Sequence, residues 1–223
     1  MIEFRSYRLG DEIYILQLYH KVFGKKLNTE VWEWKYNGLS PNKKLIFLAF
    51  NNSICIGHYA LMPYTLNAKG KDLESYVSLD SMVHPDYQRK GVFRGLVEYA
   101  NKKYQSLNEP CITFLNENSI SIYTKIFDWK YLGNIPVYCR PLSLGNLKNK
   151  SKILFFIIKL YSMSINRIFS QSNLLLKEFI QIDKDIESIS KGIDYYSISR
   201  GLEFFEWRFN KSPYKYKKYK IIS

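Results

Sequence analysis

The stretch Val83-His84-Pro85-Asp86-Tyr87-Gln88-Arg89-Lys90-Gly91-Val92-Phe93-Arg94-Gly95-Leu96 decides how the rest of the chain is read. An apolar strand, Tyr76 to Val83, runs into a proline. A short polar loop follows, and Gly91 opens an amphipathic helix to about Lys103. A helix start carries N–H groups without intrahelical partners, and the aligned peptide dipoles add partial positive charge there. Gly91 has no Cβ, so an anion can approach the backbone closely. Arg89 and Lys90 add charge at the rim. The element reads as a phosphate cradle; the alternative is an ordinary strand-to-helix turn closed by a glycine.

On either side of this stretch the patterning alternates strands and helices. Residues 2 to 8 read as a first strand, and Gly10-Asp11-Glu12 opens a helix to about Phe23. Thr29 is placed to cap a second short helix that carries Trp32. Leu45 to Phe50 and Ile54 to Leu66 flank Asn51-Asn52 as a hairpin, and Asn67 to Lys71 forms a further turn. Beyond the central helix, Cys111 to Leu115 is a strand, Ser119 to Phe127 a helix, and Trp129 to about Val137 another strand. This order predicts an α/β fold with a mixed, mostly antiparallel sheet flanked by helices.

Composition bounds the function. The 223 residues are 46% hydrophobic and 24% charged, which excludes disordered, collagenous and disulfide-scaffold classes. The longest apolar runs fall well short of the roughly 20 residues a spanning helix needs, and no signal-like core follows Met1. A cytoplasmic protein without a transmembrane segment is expected. Cys55, Cys111 and Cys139 lack metal-like spacing, as do His20, His58 and His84, so no metal site is expected. The net charge is +13, and 25 of the 33 basic residues are Lys. Nucleic-acid readers lean on Arg, so no specific nucleic acid is expected as a partner.

The C-terminal third adds an internal echo. Arg140-Pro141-Leu142 closes the first block, Asn146 to Ser151 reads as a linker, and Lys152 to Phe169 is an amphipathic helix. That helix suits packing on the preceding domain or a membrane surface. Glu33-Trp34-Lys35-Tyr36-Asn37 leads to Ser40-Pro41, and Glu206-Trp207-Arg208-Phe209-Asn210 leads to Ser212-Pro213. The expected organisation is therefore residues 1–142 as the main domain, 143–173 as linker and helix, and 174–223 as a partial second repeat.

Gln88-Arg89-Lys90-Gly91-Val92-Phe93 resembles the pyrophosphate motif of the GNAT superfamily of acyl-CoA-dependent N-acyltransferases: Arg or Gln, two residues, Gly, one residue, then Gly or Ala. Phe93 stands where the family has a small residue, which would narrow the phosphate approach. Asn116-Glu117-Asn118-Ser119-Ile120-Ser121-Ile122-Tyr123-Thr124-Lys125 resembles the family's downstream pattern, with Ser119 in place of Ala. The resemblance covers roughly residues 2 to 140, and the Trp echo is similar to tandem members of the family.

The resemblance implies acetyl-CoA as co-substrate, lying between the splayed strands Tyr76 to Val83 and Cys111 to Leu115. Ser81, Met82 and Val83 would pair with the pantetheine arm through their backbones. Gln88, Arg89, Lys90, Gly91, Val92 and Phe93 would hold the pyrophosphate, with Asn116 and Ser119 also facing the cofactor. Tyr123 would protonate the departing thiolate, because a phenol of pKa about 10 is protonated at neutral pH. Asp80 is the candidate general base, with a strand-edge aspartate bonded to backbone as the alternative. Cys111 reads as a buried inert thiol. The acceptor would be a primary amine of a small molecule or sugar, and a homodimer through an exposed sheet edge is compatible with the pattern. Two further classes stand beside this reading. One is a non-catalytic CoA-binding module. The other is a polyanion-binding protein using Lys211, Lys215, Lys217, Lys218 and Lys220 interleaved with Tyr214, Tyr216 and Tyr219.

Overall fold

Leu45 to Phe50 is apolar without interruption because the strand it forms is covered on both faces. Ile46, Leu48 and Phe50 join a core with Ile15 and Leu18 of the first helix and Trp32 and Tyr36 of the second. Phe47 and Ala49 point the other way and are equally buried; the Phe47 ring meets Tyr99 of the central helix edge-on at 5.9 Å. The computed structural model describes residues 1–104, 109–135, 153, 156–161, 163, 175–178 and 196–222. The chain divides into two compact units, Met1–Leu115 with Ile180–Tyr216, and Asn116–Phe179 with Lys217–Ser223.

The first unit is built on an open sheet. Its strands are β1 (Ile2–Ser6), β2 (Leu45–Asn51), β3 (Ile54–Ala68), β4 (Lys71–Val83) and β5 (Cys111–Thr113). They lie in that order, antiparallel except for the parallel β4–β5 pair. This is the expected mixed, mostly antiparallel sheet. Helices α1 (Glu12–Phe23) and α2 (Thr29–Asn37) supply the core on one face. Helix α3 (Val92–Tyr104) covers the other, burying Val92, Leu96, Val97 and Ala100. Two glycines let α3 approach this closely. A Cβ at Gly57 would stand 2.7 Å from Leu96 Cδ1, and one at Gly95 would stand 2.3 Å from the Phe4 ring.

Several boundaries differ from expectation. The cap of α2 is Asn28, whose side chain accepts the Glu30 N–H at 2.9 Å, while Thr29 is the first helical residue. β4 begins at Lys71, since its polar first half extends the hairpin with β3 through the Asn67–Gly70 turn. β5 ends at Thr113, and no strand follows Trp129 among the described residues 129–135. There Asp128 turns the chain with a φ of +55°, and the Trp129 N–H donates to the Tyr123 carbonyl at 3.0 Å. A short strand, Ser197–Ile198 (β7 in chain order), pairs with β3 at Leu66 and Asn67. The C-terminal Trp motif forms a helical turn over Leu202–Phe205 and a wider turn over Glu206–Asn210.

The second unit contains α4 (Glu117–Lys125) and an antiparallel pair, β6 (Leu175–Glu178) with β8 (Tyr219–Ile222). Residues 153, 156–161 and 163 are helical, and the rest of the expected Lys152 to Phe169 helix, with the Asn146 to Ser151 linker, lies outside the described residues. No helix among the described residues is long and apolar enough to cross a membrane.

Candidate active site

The central feature is how β4 leaves its neighbours. β4 and β5 pair from Tyr76–Cys111 to Ser78–Thr113, and β4 then runs on alone of the two to Val83. On its other side the register with β3 slips: Ala60 faces Leu79 but His58 faces Met82, so β4 carries one extra residue. Asp80 takes up the slip with a φ of +48°, in the left-handed region. The bulge falls just before Ser81, Met82 and Val83, where β4 still pairs with β3, Met82 facing His58 and Val83 facing Gly57.

Asp80 is gripped by three residues from two elements. Its carboxylate accepts from Lys35 Nζ at 2.5 Å and from the Tyr36 hydroxyl at 2.6 Å, both on α2. Its carbonyl lies 2.7 Å from Nδ1 of His58 on β3. Burial pushes the Asp80 carboxyl up, but the Lys35 charge and the two side-chain hydrogen bonds outweigh it and hold the carboxyl below its ordinary value. Asp80 is thus an ionised, paired carboxylate at neutral pH. His58 is wholly buried, which depresses its pKa, so the ring is neutral with Nδ1 donating. Burial and the nearby Asp80 charge push Tyr36 well above its usual value.

Beyond Val83 the chain enters the loop. The His84 N–H donates to the Ile56 carbonyl at 2.9 Å, anchoring the loop to β3. Pro85–Tyr87 forms a 3-10 turn, and Arg89 and Gly91 both adopt positive φ, +60° and +78°. A Cβ at Gly91 would meet nothing within 4 Å, so the backbone there borders open space. Phe93 does not fill that space: its ring turns onto the buried Tyr59, edge-on at 6.1 Å. Lys90 Nζ lies 5.4 Å from the Tyr87 ring centroid. Gln88, Arg89, Lys90, Gly91, Val92 and Phe93 are therefore consecutive in the loop and first turn of α3, with the backbone at Gly91 open.

Asn116, Ser119 and Tyr123 belong to the second unit. Asn116 caps α4: its side chain accepts the Ser119 N–H at 3.1 Å and the Ser119 hydroxyl at 2.9 Å. The Asn-x-x-Ser spacing is thus a local capping pattern. Tyr123 is buried to 1% exposure, edge-on to Trp129 at 5.0 Å and Phe127 at 6.1 Å.

A cavity of about 250 Å³ opens at the opposite end of β4 from the loop. Asp72, Glu74, Glu109 and Glu203 line it together with Tyr64 and Tyr76. Lys43 also lines it and pairs with Glu74 at 2.5 Å. The Cys55 and Cys111 thiols are pushed up by burial to about 11 and about 12; Cys139 lies outside the described residues. No cluster of three or more metal-binding side chains occurs among the described residues.

A family profile described as the acetyltransferase (GNAT) domain matches residues 3–132. No curated protein matches the chain. Among solved structures, an acetyltransferase from Trypanosoma brucei superposes at TM-score 0.50 with 16% identity, over 62% of this chain and 100% of that one. Glucosamine-6-phosphate N-acetyltransferase from Arabidopsis thaliana gives 0.49 and 11%, over 62% and 98%. A GNAT family acetyltransferase from Brucella melitensis in complex with acetyl-CoA gives 0.46 and 20%, over 59% and 84%.

Proposed function

The chain belongs to the GNAT acetyltransferase family, and from that membership we propose that it transfers an acetyl group from acetyl-CoA to a primary amine. The observation that carries this reading is the run from the β4 bulge to Gly91. A strand that outlasts its parallel neighbour offers peptide groups to an extended pantetheine arm. The same strand delivers the chain to a loop with backbone open to a pyrophosphate at Gly91. Ser81, Met82 and Val83 hold the arm; Gln88 to Phe93 hold the pyrophosphate, with Arg89 and Lys90 supplying charge. Asn116 and Ser119 set the start of α4, and Tyr123 on that helix returns a proton to the departing CoA thiolate.

The acceptor in this reading is a small amine. Segment 174–223 is read as a partial second repeat on residues 1–142, joined by 143–173. The exchange of hydrogen bonds between Trp34 and Trp207 supports that organisation. A polyanion-binding role is the weaker reading, because Tyr214 and Tyr216 are already engaged edge-on with Trp34 and Phe209.

Calorimetric titration with acetyl-CoA and CoA tests the cofactor site, beside the Gly91→Glu variant. The carboxylate would put bulk and negative charge where the pyrophosphate sits. Micromolar binding by the wild type, lost in the variant, is the expected result. Absence of binding by a folded wild type refutes the reading.

A further inference from the structure

We infer that the helix around Phe156 is a seat for a membrane surface: it lies in the interface of an anionic bilayer, apolar stripe inward, without spanning it. The inference stands apart from the acetyl-CoA reading. It starts from side chains that lack cover. Ile153, Phe156, Ile157, Leu160, Tyr161 and Met163 are helical, and each is at least 50% exposed. At roughly 100° per residue these six fall within an arc of about 160°, so they form one stripe. Ile158, on the far side of the helix, is partly covered. An apolar stripe left facing water marks an interaction site.

Charge decides what covers the stripe. From Trp129 to Lys177 the sequence carries eight Lys and Arg and no Asp or Glu. Lys159 is exposed just beyond one edge of the stripe, where its stem can lie along the apolar surface and its ammonium reach outward. Tyr161, at the other edge, has an apolar ring and a polar tip, which suits the headgroup level. A second copy of the chain would bring the same unrelieved positive charge against itself, which opposes a symmetric helix pair. An anionic bilayer accepts both features at once. Its acyl boundary takes the Phe and Ile side chains, and its headgroups attract the flanking cations. Spanning is not required, and no helix among the described residues is long and apolar enough for it.

The experiment uses the full chain and large vesicles of phosphatidylcholine, either alone or with about 30% phosphatidylserine, sedimented with bound protein at low and high salt. Wild type is compared with an apolar variant, Phe156→Gln with Leu160→Gln, and a charge variant, Lys148→Gln, Lys150→Gln, Lys152→Gln and Lys159→Gln. Melting curves first confirm folding. Phe156 and Leu160 are exposed, so their replacement leaves packing intact. The wild type should bind the anionic vesicles at least about tenfold more tightly than phosphatidylcholine alone. That binding should weaken as salt rises. Each variant should lose at least about tenfold at fixed lipid. Anionic binding retained by the apolar variant overturns the inference, since charge alone would then hold the protein. Equal binding to the two vesicles, or none by the folded wild type, overturns it as well. Analytical ultracentrifugation without lipid covers the remaining case. A wild-type dimer that the apolar variant dissociates would mean that a second copy covers the stripe, which refutes the bilayer seat.

Discussion

Trp34 and Trp207 each donate an indole N–H to the other's backbone carbonyl, at 2.7 Å and 2.8 Å. The rings stack at 5.1 Å between centroids with planes 17° apart. Each tryptophan sits in the same local pattern: Asn37 donates to Glu33, and Asn210 donates to Glu206 at 2.8 Å. The two motifs therefore face each other through a reciprocal contact. Gly38 permits the contact, since a Cβ there would lie 2.4 Å from the Trp207 ring and 2.3 Å from the Trp34 carbonyl.

The exchange predicts strong coupling. Trp207→Phe keeps most of the stacking but removes one donor and should cost about 1–3 kcal/mol. Trp34→Phe should behave alike. In a double-mutant cycle the pair should be less than additive by about 1 kcal/mol or more, because either change disturbs the same stacked geometry. Gly38→Ala should cost about 1–3 kcal/mol by overpacking alone. Urea unfolding of the four variants measures this; strict additivity would mean that the two tryptophans merely adjoin.

Much of this fold was legible in local signals. Loop, glycine and amphipathic helix gave the turn before α3 and the helix itself, and the uninterrupted apolar run at Leu45 to Phe50 gave a central strand. The Trp echo was visible in the sequence, although its reciprocal contact was not. What stayed hidden was non-local or conformational. Asp80 reads as a polar residue on a strand, and nothing in its neighbourhood announces Lys35 and Tyr36, which come from more than forty positions away. The bulge itself depends on a φ that only glycine would have advertised. Gly57 and Gly95 carry no turn signal because their role is closeness to α3, not conformational freedom. The polar half of β4 was lost for the opposite reason: exposed hairpin strands need no apolar alternation to pair.

Acid stability should depend on Asp11. Its carboxylate receives two hydrogen bonds from Arg5, at 2.6 Å and 2.8 Å, and one from the Arg8 N–H at 2.7 Å. The Arg5 hydrogen bonds, helped by the backbone donor, outweigh burial and hold the carboxyl below its ordinary value. The unfolded chain then binds the extra proton first as pH falls. The stabilisation is complete above the unfolded carboxylate value of about 3.9 and disappears as pH drops through the lower folded value. Asp11→Ala should cost about 3 kcal/mol at pH 7, because it strands the Arg5 charge, and progressively less below about pH 4. Urea titrations across pH 3 to 7 read the difference; a penalty independent of pH would refute the role of the ion pair.

The thiols should be unreactive while the chain is folded. With Cys55 at about 11 and Cys111 at about 12, the thiolate at pH 8 is a small fraction of each. Alkylation by iodoacetamide, followed peptide by peptide, should be at least about tenfold slower at both positions in buffer than in denaturant. Rapid labelling of Cys111 in the folded protein would contradict the reading of it as a buried inert thiol.

Tyr123 gives the sharpest test of chemistry. Its ring is buried against Trp129 and Phe127, so Tyr123→Phe preserves the packing and should alter stability by less than about 1.5 kcal/mol. If the hydroxyl returns a proton to the CoA thiolate, its loss should lower turnover by about 10²-fold or more. The affinity for CoA should hardly change, because binding and proton return draw on different atoms. Thiol release from acetyl-CoA, followed with whichever amine of a panel is acetylated, supplies kcat; calorimetry supplies the affinity. Unchanged turnover would assign Tyr123 to the core of α4 and leave the thiolate to be protonated by solvent.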